Sequence, residues 1–149
     1  MKIILGADHK GFALKEKIKK YLSFLGHEII DVGTFSEERT DYPDFAFKVA
    51  ESVAEGKSDK GILICWTGNG MTISANKVKG IRAALVMNKE MAKLSREHND
   101  ANILCLPSMF VSFDQVEEIV EVWLNTEFEG GRHQKRLEKI KEYEQSQGK

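Results

Sequence analysis

The sequence predicts an α/β protein with a parallel sheet flanked by helices. Three observations carry that class. Short apolar runs alternate with amphipathic stretches from one end of the chain to the other, the pattern of strands and helices taking turns. One run, Gly61-Ile62-Leu63-Ile64-Cys65, is apolar throughout, as expected of a strand covered on both faces. The length, 149 residues, suits a single domain, here residues 1–149, and a chain of that size buries roughly 68–70% of its unfolded surface without a disulfide or metal staple.

Each element has its own signal. Residues 2–7 read as a first strand; Leu14, Ile18, Leu22 and Leu25 then recur at helical spacing until Gly26 stops the helix. Residues 27–32 supply a second strand. A polar loop through Thr40 and Asp41 leads to a helix with Phe45, Val49 and Val53 on one face and Pro43 in its first turn. After the third strand, Thr67-Gly68-Asn69-Gly70 turns the chain into a short helix expected to end near Gly80, and residues 81–87 form a fourth strand. Asn88 can cap a helix running toward Asn99, and residues 103–106 make a fifth strand closed by Pro107. Ser112 and Gln115 fit a capping box, with Val111 and Val116 as its hydrophobic staple, for a helix to about Asn125. A last charged helix follows Gly130-Gly131 with only Leu137 and Ile140 as an apolar stripe, so it either packs on a second subunit or frays in solvent.

Composition removes several function classes. Hydrophobic residues make up 42% and charged residues 30%, the balance of an ordinary globular protein rather than a disordered one. Lys and Arg number 22 against 23 Asp and Glu, a net charge of −1 that offers no broad attraction to nucleic acid or anionic lipid. Any anion site must be local. The apolar start is too short for a signal peptide or a spanning helix, which predicts a cytoplasmic protein without membrane partners. Cys65 and Cys105 lack a CxxC pair or a ligand-spaced histidine, so the expectation is two free thiols, with neither a disulfide framework nor a zinc knuckle.

In open parallel sheets the carboxyl ends of the strands border the binding crevice. Asp8 and His9 follow the first strand there, and Cys65 and a glycine-rich loop follow the third; His98, Asn99 and Asp100 stand just before the fifth. The loop Thr67-Gly68-Asn69-Gly70-Met71 is neither a Walker A loop nor a dinucleotide fingerprint, which speaks against a nucleotide cofactor. Its backbone N–H groups can converge on an anion or a developing oxyanion. Cys65, where the strand meets this turn, is either a buried inert thiol or a reactive one whose pKa is lowered from about 8.5 by the helix end. Cys105, inside the fifth strand, reads as inert. His9 beside Asp8 is either a surface turn pair or a phosphate donor, and His98 carries the same ambiguity. His27 reads as structural. Arg132 and Arg136 share a helix face that is either simply solvated or able to grip a phosphate.

Taken together these segments resemble the ribose-5-phosphate isomerase B family, within the sugar-phosphate isomerases that include galactose-6-phosphate and allose-6-phosphate isomerases. The matching runs are Gly6-Ala7-Asp8-His9-Lys10-Gly11-Phe12, Glu38-Arg39-Thr40-Asp41-Tyr42-Pro43, Gly61-Ile62-Leu63-Ile64-Cys65, Thr67-Gly68-Asn69-Gly70, Ala75-Asn76-Lys77, Ser95-Arg96-Glu97-His98-Asn99-Asp100 and Glu129-Gly130-Gly131-Arg132-His133-Gln134. The resemblance implies a Rossmann-like three-layer αβα sandwich on a doubly wound sheet of order 2-1-3-5-4. It also implies a homodimer, with tetramers as a further possibility, whose sites are completed across the interface and whose last helix packs on the partner. The implied reaction is metal-free and cofactor-free interconversion of ribose 5-phosphate and ribulose 5-phosphate in pentose phosphate metabolism. Cys65 would remove the proton from C2 or C1, and His98 would help open the furanose ring. Thr67 would assist ring opening or hold the carbonyl oxygen, with Gly68, Asn69, Gly70 and Met71 lining the substrate. Asp8 and Asn99 would hold sugar hydroxyls, while His9, Arg132 and Arg136 would surround the phosphate. A second branch of the family places a glutamate where this chain has Met71.

Two departures bear on specificity. Many relatives have glycine at Trp66, whose indole either narrows the pocket or points away from it, and many have an arginine at Met109. On the first alternative, bulk at Trp66 predicts a preference for ribose 5-phosphate over allose 6-phosphate. The competing readings are an isomerase for a six-carbon aldose phosphate and a noncatalytic sugar-phosphate-binding module.

Overall fold

The structure, a computed structural model, describes residues 1–148. Its strands are β1 (Lys2–Ala7), β2 (Glu28–Asp31), β3 (Lys60–Cys65), β4 (Ala83–Leu85) and β5 (Ile103–Pro107). Its helices are α1 (Phe12–Phe24), α2 (Tyr42–Ala54), α3 (Asn69–Ala75), α4 (Lys89–Glu97), α5 (Phe113–Asn125) and α6 (Arg132–Ser146). All strand pairs are parallel and the order is β2-β1-β3-β5-β4, the doubly wound α/β arrangement expected. The chain leaves β1 in one direction and β3 in the other, so the gap between these paired strands is a topological switch point, where open α/β sheets place their ligands.

Strand alternation sorts the core into two layers. Ile3, Leu5, Ile62, Ile64, Leu104 and Leu106 face α1, α4 and α5, where they meet Ile18, Leu22, Ala92, Val116, Ile119 and the fully buried Trp123. Ile4, Leu63, Cys65, Ile103 and Cys105 face α2 and α3, against Ala46, Val49, Ala50, Met71 and Ala75. Burying one such aliphatic side chain is worth about 1.5–3 kcal/mol, so the sheet is anchored on both faces. Cys65 and Trp66, adjacent in sequence, are thereby sent to opposite faces.

Capping followed the sequence closely. Asn88 accepts from the Met91 N–H at the start of α4, and Ser112 and Gln115 form both halves of the capping box on α5. Two elements are shorter than their apolar runs. Helix α3 stops at Ala75 rather than near Gly80, and β4 covers only Ala83–Leu85 rather than 81–87. The cause is side-chain competition for backbone groups. The Asn76 amide bonds both the N–H and the C=O of Ala83, and Asn102 takes the Arg82 N–H, so these groups are satisfied by side chains instead of a strand neighbour. The second strand is likewise trimmed to Glu28–Asp31.

A charged pair lies inside the fold. Lys15 is fully buried, with its ammonium 2.6 Å from Asp31, which also accepts from the Gly33 N–H and from Lys19. Burial works against the carboxylate, yet these hydrogen bonds hold the Asp31 pKa below its ordinary value. The pair fixes the exit of β2, and Gly33 and Thr34 in turn exchange hydrogen bonds with Ala7 at the end of β1.

Among the described residues no helix is long and apolar enough to cross a membrane.

Candidate active site

The first half of the site lies at the carboxyl edge of β1 and β3. Asp8 follows β1, is almost fully buried, and accepts the Lys10 and Gly11 N–H groups on Oδ1. Its Oδ2 makes no hydrogen bond among the described residues. His9 exchanges bonds with Thr40 across the β2–α2 loop. Cys65 ends β3 on the same face as Asp8, only 5% exposed, with the backbone amides of Met71, Gly68 and Thr67 directed at its sulfur. Burial nevertheless dominates. It pushes the Cys65 thiol up, the Asp8 charge adds to the rise, and the loop amides only partly offset both. This corrects the expectation of a lowered pKa from the helix end: a thiol removed from water loses more than a few amide dipoles return. The consequence for chemistry is useful, because a thiolate with a raised pKa is the stronger base.

The loop's shape depends on glycine. Gly68 adopts φ +79°, and a Cβ there would sit 2.4 Å from Leu85 Cδ1 and 3.3 Å from the Pro107 nitrogen. At Gly70 a Cβ would meet the Tyr42 ring at 2.6 Å, so Tyr42, at the start of α2, roofs the loop. Thr67 and Asn69 are exposed, with the Asn69 N–H donating to Thr67 Oγ1. Met71 contributes its amide; its side chain is buried in the core. Ser108 braces the edge from β5, its hydroxyl donating to the carbonyls of Lys10 and Cys65. The indole of Trp66 turns to the α1 side, beneath Lys10 Nζ at 4.8 Å in a groove with Leu14, Val111 and Phe113. Of the two orientations open from sequence, the structure selects the one away from the Cys65 face, which removes the steric basis for the pentose preference. Met109 and Phe110 are exposed beside it.

The second half lies at the other edge. His98 caps the end of α4, five residues before β5 begins, and its ring stacks on His133 with centroids 4.2 Å apart and planes 15° apart. The Glu129 N–H donates to the Glu97 carbonyl, tying the start of α6 to this turn. Arg132 and Arg136 are exposed on α6, as is Asn99 beside His98. Asp100, in the left-handed region at φ +45°, holds the turn through Arg96 at 2.8 Å and Arg82 at 3.4 Å. Four residue steps of β5, about 13 Å at strand rise, separate the amino edge from the carboxyl edge where Pro107 pairs with Cys65. His98 and Asn99 therefore do not share the Cys65 rim within one chain, and neither do Arg132 and Arg136.

His98, Glu129 and His133 offer three potential metal ligands whose atoms lie within 4.8 Å of one another. The stacking argues against chelation. Imidazole lone pairs lie in the ring planes, and two nearly parallel planes this far apart contain no common point at about 2.0–2.1 Å from both nitrogens. Burial lowers the His133 pKa, and the neighbouring His98 and Arg132 charges add to that effect.

Sequence reasoning assigned no role to Thr40, Tyr42, Ser108 or His133. Thr40, Tyr42 and His133 stand inside recognisable motifs, but only packing shows what each one touches. Cys105, by contrast, is as inert as expected: it is fully buried and its thiol is pushed up to about 12.

A parallel αβα sheet with an amide-cradled thiol at its switch point defines the class of protein. The particular family is given by comparison: the chain belongs to the Ribose/Galactose Isomerase family, which it matches over residues 3–140. Ribose-5-phosphate isomerase B of Escherichia coli is 51% identical over 144 residues, covering 97% of both chains. The solved structure of Clostridium thermocellum ribose-5-phosphate isomerase B superposes with a TM-score of 0.97 at 53% identity, covering 98% of this chain and 99% of that one. That of Mycoplasma genitalium ribose-5-phosphate isomerase B, with bound ribulose-5-phosphate, gives 0.93 at 45% identity, covering 97% and 96%.

Proposed function

We propose that this chain is an aldose-ketose isomerase that interconverts D-ribose 5-phosphate and D-ribulose 5-phosphate. The observation that carries the reading is Cys65: a buried thiol on the Asp8 face, with loop amides aimed at it, in a family whose near relatives are ribose-5-phosphate isomerases B. The Cys65 thiolate takes the proton from C2 of the open aldose, the electron pair forms an enediolate, the hydroxyl proton passes from O2 to O1, and the carbon-bound proton returns at C1; the reverse direction begins at C1. A carbon acid next to a carbonyl is too weak for a free thiolate unless the oxyanion is stabilised as it forms. The Thr67 hydroxyl and the turn amides not taken up by the sulfur or by Thr67 Oγ1 supply that stabilisation. In other enzymes one preorganised donor is worth about 2.7–4 kcal/mol. Asp8 Oδ2 accepts from a sugar hydroxyl, and His9 meets the phosphate.

The remaining groups come from a second copy. Because His98, Asn99, Arg132 and Arg136 stand at the opposite edge, we assign the productive unit as a homodimer. In it the partner's His98 moves the proton that opens the furanose ring, its Asn99 holds a hydroxyl, and its arginines close on the phosphate. The exposed apolar residues Ile140 and Tyr143 of α6 favour such packing. No step in this scheme needs a metal or organic cofactor. Incubation with ribose 5-phosphate in deuterated water tests the reaction: ribulose 5-phosphate should form with solvent deuterium at the reacting carbon. Binding without turnover or exchange would reduce the protein to a sugar-phosphate-binding module.

A further inference from the structure

His9 and Thr40, 31 residues apart in the chain, hold each other through two hydrogen bonds. The His9 backbone N–H donates to Thr40 Oγ1 at 3.1 Å, and the Thr40 backbone N–H donates to His9 Nδ1 at 3.2 Å. A backbone N–H can only donate. Nδ1 must therefore present its lone pair, and the single ring hydrogen of the neutral imidazole stands on Nε2. The chain between β2 and α2 is exposed from Phe35 to Arg39 and becomes half-buried at Thr40, so this contact is where the loop is tied back to the carboxyl end of β1. The tautomer matters to an anion. A ring that offers Nε2–H donates to a phosphate oxygen, whereas the other tautomer turns a lone pair toward it and repels it.

We propose that Thr40 is a positioning residue: through its paired bonds with His9 it fixes the Nε2–H tautomer of that ring and aims the hydrogen at the substrate's phosphate. The inference rests on the reading of His9 as phosphate-facing, but the tautomer itself can be observed without substrate. The Oγ1 bond carries the side-chain share of the work. It anchors the Thr40 backbone at the distance at which its own N–H reaches Nδ1, so removing the hydroxyl weakens both bonds at once, while serine retains them.

The test joins nitrogen-15 NMR of the histidine rings with steady-state kinetics. The chain has four histidines, and the His9 resonances are those absent from a His9→Gln variant. In the ligand-free protein His9 should show the Nε2–H tautomer, retained in Thr40→Ser and mixed with the Nδ1–H form in Thr40→Val. In Thr40→Val, KM for ribose 5-phosphate and the inhibition constant of inorganic phosphate should rise together by about three- to tenfold, the scale of one hydrogen bond, with kcat within about twofold. Thr40→Ser should restore both. An Nδ1–H tautomer in the wild type, or a folded Thr40→Val with unchanged tautomer and KM, overturns the proposal. If Thr40→Val does not fold, the wild-type tautomer and the kinetics of Thr40→Ser decide. A wild type that shows the Nε2–H tautomer yet neither binds phosphate nor turns over ribose 5-phosphate would overturn the phosphate reading of His9 and the positioning role with it.

Discussion

The two edges of the sheet solve different problems. At the carboxyl edge the groups are small, backbone-rich and withdrawn from water: a thiol, a buried carboxylate and a turn of amides whose positions are set by strand ends and glycines. At the amino edge the groups are long, and most are charged and exposed: Arg132 and Arg136 on α6, and His98 held by a ring stack. The first half is suited to making and holding an enediolate, which needs donors fixed to within about half an ångström. The second is suited to capturing a phosphate and trading a proton with a ring oxygen. On the proposed reading neither half is a complete site, and β5 keeps the two apart within one chain.

The largest effect is expected at the chemical centre of the carboxyl edge. Cys65→Ala should lower kcat by at least about 10²–10⁴-fold, the scale of a positioned base, while substrate still binds, because the substitution leaves intact the groups proposed to grip the phosphate, His9 and the partner's arginines. In the wild type, burial raises the thiol pKa, so kcat/KM should climb with pH as the thiolate fraction grows. A near-normal Cys65→Ala, or a rate that falls as pH rises, would move the base role to another group. Next in size is Gly68→Ala. The added Cβ faces Leu85 at 2.4 Å and the residue would have to keep φ +79°, so the loop must shift. A displacement of about 1 Å can cost about 10²-fold, and the loss should appear in kcat more than in KM, with a lower melting temperature. Unchanged kcat would mean that the turn's amides do not serve the transition state.

The smallest expected effect concerns Trp66. Because its indole lies under Lys10 on the α1 face, Trp66→Gly should change the ratio of kcat/KM for allose 6-phosphate to that for ribose 5-phosphate by less than about twofold. A selective gain for the hexose phosphate would show that the indole shapes the crevice after all.

Legibility in the sequence followed the same division. The carboxyl edge could be read because strand ends, Asp8-His9 and the glycine turn are contiguous signals, and a parallel sheet brings successive strand ends together. The sign of the Cys65 shift could not, since desolvation depends on what covers the sulfur and helix position alone says nothing of that cover. His98 is legible in sequence as standing just before β5, but only the fold shows that this position lies at the amino edge, opposite the Cys65 rim. The lengths of α3 and β4 were misjudged where Asn76 and Asn102 bond backbone groups that an apolar run would have assigned to the ladder. Thr40 sat in a motif without a visible role, because its partner lies 31 residues away.

On the proposed reading one working site needs both edges, contributed by two chains. Mixing Cys65→Ala protein with Arg132→Ala protein tests it most directly, under conditions where labelled subunits are shown to exchange. Random exchange makes half of the dimers mixed, and each mixed dimer holds one intact site of two. Activity should therefore recover from two nearly inactive parents to about a quarter of the wild-type value. No recovery, with exchange verified, would place Cys65 and Arg132 in the same site of one chain and rule out a site shared between two.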